Sequence, residues 1–163
     1  MSDSLDQFEL LILEILQQDA TRSNADIAGE IGLSEAPCWR RIQRLRKAGY
    51  IRSQVALLDR RMLGLNAQVF AQIKLNAVGR SNLAEFSEAI RQFPEVLDCF
   101  VLMGNFDFML RVITKDIEAY ERFFFEKLSK VPGVQEVNSM VALSEIKSVT
   151  ALPLEQAAFG NAR

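Results

Sequence analysis

The sequence predicts an α+β protein, three short helices followed by a βαββαβ unit, and three observations carry that prediction. Apolar residues recur at helical spacing through the first 50 residues. Two-residue alternation of strand type begins near Asn66. Two helix endings, Phe93-Pro94-Glu95-Val96 and Val131-Pro132-Gly133-Val134, recur 38 residues apart, which marks one supersecondary unit used twice. The 163 residues therefore divide into a helical domain over residues 1–58, a linker over 59–65 punctuated by Gly64, a sheet domain over 66–153, and a patternless tail over 154–163 expected to fray.

In the helical domain, Ser4 with Gln7 matches a capping box, and Phe8, Leu11, Ile12 and Ile15 follow at helical spacing. A second helix starts at Ser23 or Asn24 and carries Ile27, Ala28 and Ile31. Gly32 ends it, because glycine adopts the left-handed conformation of a helix C-terminus without steric cost. Ser34 caps a third helix, which tolerates Pro37 in its first turn and stops at Gly49. Two helices joined by Gly32-Leu33-Ser34 make a helix-turn-helix.

In the sheet domain, residues 68–75 place Val69, Ala71, Ile73 and Leu75 on one face and Gln68, Phe70, Gln72 and Lys74 on the other. A helix with Leu83, Phe86, Ile90 and Phe93 on its apolar stripe runs to Pro94. Strands over 96–103 and 106–113 are joined by a tight turn at Gly104-Asn105. A second helix carries Ile117, Tyr120, Phe124, Leu128 and Val131, and a last strand covers 135–146. That order is the ferredoxin-like plan, in which two helices cover one face of a four-stranded sheet. The other face, with Phe70, stays open, and a second subunit is its natural cover.

Composition narrows the chemistry. Hydrophobic residues make up 49% and charged residues 25%, as in ordinary globular proteins, and a net charge of −2 by itself predicts no polyanionic partner. There is no histidine, which excludes Ser-His-Asp and Cys-His catalysis, histidine-ligated zinc and histidine-ligated haem. Cys38 and Cys99 lie too far apart for a metal knuckle and read as free, mostly buried thiols of a reducing compartment. Neither a dinucleotide fingerprint nor a P-loop occurs. The acidic start MSDSLDQFE, an apolar stretch broken by Glu14, and the lack of any run near ~18 apolar residues point to a cytoplasmic protein without membrane association. No catalytic residue, metal or cofactor is expected.

Charge is concentrated in one place. Residues 36–58 hold Arg40, Arg41, Arg44, Arg46, Lys47 and Arg52 and no acidic residue, while the other 13 of the 19 basic residues face all 21 acidic ones, a balance of −8. At 100° per residue, Cys38, Ile42 and Leu45 fall on one side of the third helix and Arg40, Gln43, Arg44 and Lys47 on the other, flanked by Trp39 and Arg41. A helix so divided packs by one face and offers long cationic side chains on the other. In a DNA major groove, Arg reads guanine and Gln reads adenine bidentately, while flanking cations neutralise phosphates. The expected double-stranded DNA contacts are Ser34, Pro37, Trp39, Arg40, Arg41, Gln43, Arg44 and Lys47, with Trp39 open equally to packing against the first helix.

A second candidate site is the turn Gly104-Asn105-Phe106-Asp107-Phe108. A carboxylate within an apolar strand needs a partner, and amides at a glycine turn beside Asp107 can hold both ends of a zwitterionic amino acid. A plain hairpin with Asp107 bonding its own turn fits the residues as well.

The ordered motifs resemble the leucine-responsive regulatory protein/AsnC (Lrp/AsnC) family of prokaryotic transcription regulators over residues 5–154. They are Leu5-Asp6 with Ile12-Leu13, Gly32-Leu33-Ser34, Cys38-Trp39-Arg40-Arg41-Ile42-Gln43-Arg44-Leu45, Gly49-Tyr50-Ile51, Leu57-Leu58-Asp59, Pro94-Glu95-Val96, Gly104-Asn105-Phe106-Asp107-Phe108, Pro132-Gly133-Val134 and Thr150-Ala151-Leu152-Pro153-Leu154. The resemblance implies a winged-helix-like DNA-binding domain with a linking strand around residues 54–58, and a ferredoxin-like domain that dimerises through its sheet. It also implies assembly of homodimers to tetramers or octamers and a small-molecule effector, commonly an amino acid, bound between dimers. Carried onto this chain, effector contacts come from Met103, Gly104, Asn105, Asp107, Ser139, Met140 and Val141. The sequence departs from the family at Asn105, where Asp is usual, and at Phe100, where His is usual. Sirohaem decarboxylases resemble the same architecture, but porphyrin chemistry of that kind wants a histidine, as does haem degradation on a ferredoxin-like fold. A sensing module without DNA binding conflicts with the intact cationic helix face.

Overall fold

A computed structural model gives the structure of residues 5–156, which form two compact units: residues 5–57 together with 147–156, and residues 58–146. Ser4 and the tail beyond residue 156 lie outside the described residues.

The helical unit contains α1 (Gln7–Gln18), α2 (Asn24–Glu30) and α3 (Glu35–Lys47). The capping box of α1 sits two residues later than the sequence suggested. Asp6 accepts the Glu9 N–H at 2.8 Å, and the Glu9 carboxylate reaches back to the Asp6 N–H at 3.0 Å, so an acidic pair forms the box at the start of α1. Of the two starts expected for α2, Asn24 is the first helical residue and Ser23 its cap, and Gly32, at φ 73°, lets the Leu33 N–H return to the Ala28 carbonyl. Ser34 holds the N-cap position of α3 but makes no capping hydrogen bond. Ile12, Ile27, Ala28, Ile31, Cys38, Ile42 and Leu45 form the core. Residues 147–156 join this unit through the Gln17 side-chain amide, which accepts the Leu152 N–H at 2.8 Å and donates to the Leu152 carbonyl at 3.1 Å. The linking segment at residues 54–58 forms no strand; a strand exists only as part of a ladder, and this segment has no ladder partner among the described residues.

The sheet unit runs β1 (Ala67–Leu75), α4 (Ala77–Ser81), α5 (Leu83–Arg91), β2 (Val96–Val101), β3 (Phe108–Thr114), α6 (Ile117–Glu126), a 3-10 turn (Leu128–Lys130) and β4 (Val134–Val141). Strand order is β2-β3-β1-β4, antiparallel throughout, the ferredoxin-like arrangement. Val69, Ala71, Ile73 and Leu75 are fully buried, pack with Leu110 and Val112 of β3, and meet Phe86, Ile90, Tyr120, Phe123 and Leu128 from the helical layer.

Three elements differ from expectation. The helix before Pro94 is two pieces, broken at Asn82, so Leu83 starts α5 and stays exposed. α6 ends at Glu126 and gives way to the 3-10 turn, and its buried face runs through Tyr120 and Phe123, three residues apart, which leaves Phe124 only partly covered. The last strand stops at Val141, because β1, its ladder partner among the described residues, pairs no further than Val69 with it. On the open face, pairing places Phe70 beside Arg111 and Met140, and Phe100 beside Met109; Arg111 also forms an ion pair with Asp98.

Candidate functional site

The cationic face is built on α3. Cys38, Ile42 and Leu45 are buried and fix the helix on α1 and α2, while Arg40 and Lys47 are exposed and Gln43 is half-buried on the opposite side. Trp39 is 49% exposed, so it is not absorbed into the packing against α1. Pro37 sits half-buried in the first turn and Ser34 is exposed ahead of it. Arg44, Arg46 and Lys47 occupy the last turn, where the helix dipole favours cations.

Two of the arginines expected to contact DNA, the outward Arg44 and the flanking Arg41, are engaged by α1 and its N-cap. Arg44 forms a two-point ion pair with Glu9, whose side chain is 2% exposed. One turn earlier, Arg41 donates to Asp6 at 3.1 Å and lies 5.5 Å over the Phe8 ring. Arg41 and Arg44 stand three residues apart on α3, as Asp6 and Glu9 do on α1, so the helices meet along a seam of paired charge. The stripe left facing outward is Arg40, Gln43 and Lys47, with Trp39 at its edge. The sequence reading does not pick out Glu9, and takes Asp6 only as part of the Leu5-Asp6 motif, although a matched i, i+3 spacing of acids and bases on two adjacent helices is the signal available.

The second candidate site lies where β2 and β3 join. The loop is longer than the two-residue turn expected, running over residues 102–107 and closed by the Leu102 N–H on the Asp107 carbonyl at 2.8 Å. The Asp107 backbone N–H goes instead to Ile73 of β1. Its carboxylate accepts the Leu75 N–H at 2.7 Å and the Arg80 guanidinium at 3.1 Å. The Leu75 amide, and then Arg80, hold the Asp107 carboxyl below the usual carboxylate range against the opposing effect of partial desolvation. Arg80, from α4, is thus a cation of this corner that no local pattern in the sequence announced. Met103 is fully exposed beside Gly104 and Asn105.

Ser139, Met140 and Val141 do not join that corner. They end β4, paired with Ala71, Phe70 and Val69, so Ser139 and Val141 share the helix-covered face and Met140 the open one. The Ser139 hydroxyl meets the Tyr120 hydroxyl, whose pKa burial pushes up. At ~3.3 Å per residue along β1 and ~4.8 Å between strands, Asp107 and Met140 stand roughly 14 Å apart within one chain. Both cysteines are free. Cys38 is buried as expected, but Cys99 lies exposed because β2 is an edge strand. Among the described residues, no helix is long and apolar enough to cross a membrane.

Both units have counterparts among known proteins. Residues 5–52 match the family described as "Winged helix-turn-helix DNA-binding", and residues 68–152 match the "Lrp/AsnC ligand binding domain". The chain is 38% identical over 146 residues to the proline dehydrogenase transcriptional activator of Rhizobium radiobacter, covering 90% of this chain and 94% of that one. Of solved structures, it is similar to a transcriptional regulator of Neisseria meningitidis in complex with L-Met, with a TM-score of 0.89, 34% identity and coverage of 93% and 98% of the two chains. It is also similar to an AsnC family transcriptional regulator of Agrobacterium tumefaciens, with a TM-score of 0.87, 40% identity and the same coverage. With both units matched in order and relatives matched over nearly their whole length, the chain belongs to the Lrp/AsnC family of DNA-binding transcription regulators.

Proposed function

We propose that this regulator reads double-stranded DNA through Arg40, Gln43 and Lys47 of α3, and that an amino acid bound at the sheet unit modulates that binding. The carrying observation is the division of α3. Its buried side anchors the helix, and its outward stripe presents one bidentate guanine reader, one adenine reader and one phosphate cation with no acidic neighbour on the stripe. Ser34, Pro37 and Trp39 flank the groove-entering end. Its work is binding rather than catalysis, and its place is the cytoplasm.

The L-Met bound to the Neisseria meningitidis regulator supports an amino-acid effector here. The Gly104 and Asn105 amides receive the effector carboxylate, and Asp107 the ammonium through the lone pairs that Leu75 and Arg80 leave over. Met103, Met140 and Val141 favour an apolar side chain such as that of leucine or methionine. One small amino acid cannot bridge ~14 Å, so a site using both the loop and the end of β4, Ser139 included, draws them from different copies of a homo-oligomer. Such an oligomer is a dimer through the open sheet face, carrying Phe70, Phe100, Met109 and Met140, with dimers assembling further to tetramers or octamers.

Fluorescence anisotropy of the full chain on genomic DNA fragments, with each of the twenty amino acids in turn, tests both halves. Specific binding shifted by apolar amino acids supports the reading. Equal affinity for all DNA, or no response to any amino acid, sinks the corresponding half.

A further inference from the structure

The proposed function leaves Arg80 as a brace for Asp107, and the geometry of its side chain offers more than bracing. Asn76 fixes the short helix that carries it. The Asn76 side chain caps α4 at the Gly79 N–H at 2.8 Å, the Asn76 N–H bonds the Gly133 carbonyl at 2.9 Å, and the Arg80 N–H returns to the Asn76 carbonyl at 3.0 Å. The guanidinium turns one edge to Asp107, with Nε 3.1 Å and 3.3 Å from the two carboxylate oxygens and Nη2 3.4 Å from the second. Its Nη1 group makes no hydrogen bond with a described residue, and the side chain is 51% exposed. A guanidinium carries five N–H donors in a rigid fork, so the edge away from Asp107 is preset to receive a second anion. Lys74 also favours the ionised Asp107, but it stands on the open face of β1, opposite Glu136 of β4.

We propose that Arg80 is a specificity-determining residue of the effector site, donating from Nη1 to the effector carboxylate beside the Gly104 and Asn105 amides while it keeps its hold on Asp107. The inference rests on the reading of this corner as an amino-acid site and extends it to how the ligand class is selected. With the effector ammonium on Asp107, four charges alternate in sign around a ring: the Asp107 carboxylate, the ammonium, the effector carboxylate and the Arg80 guanidinium. Every neighbour is then an opposite charge. The two charges of an α-amino acid sit on adjacent carbons, so one ligand reaches the paired Asp107 and Arg80 together. An amine without a carboxylate brings a second cation to Arg80, and a carboxylic acid without an ammonium brings a second anion to Asp107. Each like-charge approach costs affinity. Because Asp107 already holds the guanidinium in place, little side-chain freedom is lost when the carboxylate arrives.

The test titrates the full chain by calorimetry with L-leucine, L-methionine and L-leucinamide. The amide keeps the ammonium and the side chain but lacks the carboxylate charge, and its weaker binding is read by displacement of leucine. Arg80→Gln should weaken leucine and methionine roughly ten- to hundredfold and leucinamide hardly at all, because a charged hydrogen bond is lost only where a carboxylate is present. Arg80→Lys keeps a cation for the carboxylate but not the fork on Asp107, and should recover most of that loss. Each variant is titrated at a temperature where circular dichroism shows it folded. Equal weakening of leucine and leucinamide, or an Arg80→Lys as weak as Arg80→Gln, shows that Arg80 only braces Asp107 and overturns the proposal. So does leucine binding unchanged in Arg80→Gln, or a wild type that binds leucinamide as tightly as leucine. If leucinamide displaces leucine from neither protein, the Arg80→Lys arm decides alone. If wild type binds neither amino acid, the reading of the corner as an apolar amino-acid site has failed and this inference with it, a result distinct from wild-type binding that survives Arg80→Gln.

Discussion

Gly79 and Gly133 meet backbone to backbone. A Cβ built on Gly133 falls 2.4 Å from the Gly79 Cα, and one built on Gly79 falls 2.8 Å from the Gly133 Cα and carbonyl oxygen. The contact seats α4 against the turn that leads into β4, and the Asn76 N–H bonds the Gly133 carbonyl there at 2.9 Å. Asn76 then caps α4, and α4 delivers Arg80 to Asp107.

Alanine at either glycine is therefore expected to loosen the corner that carries Asp107. Gly133 also sits at φ 85°, where a side chain adds strain of order 1–2 kcal/mol to the clash. Gly133→Ala should lower stability by at least ~2 kcal/mol, and Gly79→Ala by a comparable amount through backbone overlap. Urea unfolding of the three proteins checks this, and a loss under ~0.5 kcal/mol in both variants would mean that the backbones separate without cost.

Asp107 gives a pH prediction with a definite sign. The Leu75 amide and Arg80 lower its folded pKa, so the stabilisation it contributes is fully present above the unfolded carboxylate value near ~3.9 and is lost as pH falls through the lower folded value. Asp107→Asn should therefore be less stable than wild type at pH 7, and the gap should close in acid below pH ~4. Thermal melting at pH 7, 4 and 3 follows the gap, and a constant difference across that range would contradict the ionic bracing.

How much of this was legible in the sequence depends on whether the cause was local. The alternation Val69, Ala71, Ile73, Leu75 marked β1 within one residue, because every second side chain is fully buried. The turn at Gly32 was equally readable, since its left-handed backbone is a property of one residue. The Asn82 break in the first sheet-domain helix was not, because α5 keeps the same apolar stripe on either reading. Partners fixed by tertiary approach were also hidden. Arg80 lies 27 residues from Asp107, and Glu9 lies 35 from Arg44. The outward direction of Arg44 followed from helical geometry alone, and the buried carboxylate on a neighbouring helix reversed it.

The open sheet face yields a prediction about assembly. Phe100 is 57% exposed on edge strand β2, on the same face as Phe70, Met109 and Met140. If that face is covered in the proposed dimer, Phe100→Asp places an unpaired charge in an apolar interface. Full-length wild type should sediment as a dimer or larger species at micromolar concentration, with Phe100→Asp shifted toward the monomer. Identical sedimentation of the two proteins would move the interface elsewhere.

The sharpest contrast concerns two arginines of one helix. Arg40 and Arg44 lie four residues apart on α3, and from spacing alone both face DNA. In the folded unit Arg40 is exposed, whereas Arg44 is held by Glu9. Arg40→Ala should cost ~1–3 kcal/mol on a selected duplex and relax preference at one base-pair position if the side chain reads guanine. If it touches only phosphate, binding to every sequence weakens alike and the salt slope falls by about 0.9. On the proposed reading, Arg44→Ala leaves the buried Glu9 carboxylate without this guanidinium, so its cost should appear in folding, below the ~3–5 kcal/mol of a fully buried pair because Arg44 is 39% exposed. Melting and anisotropy measured together on both variants separate these effects. A destabilised Arg40→Ala that binds DNA normally, beside a fully stable Arg44→Ala that does not, would reverse the two roles.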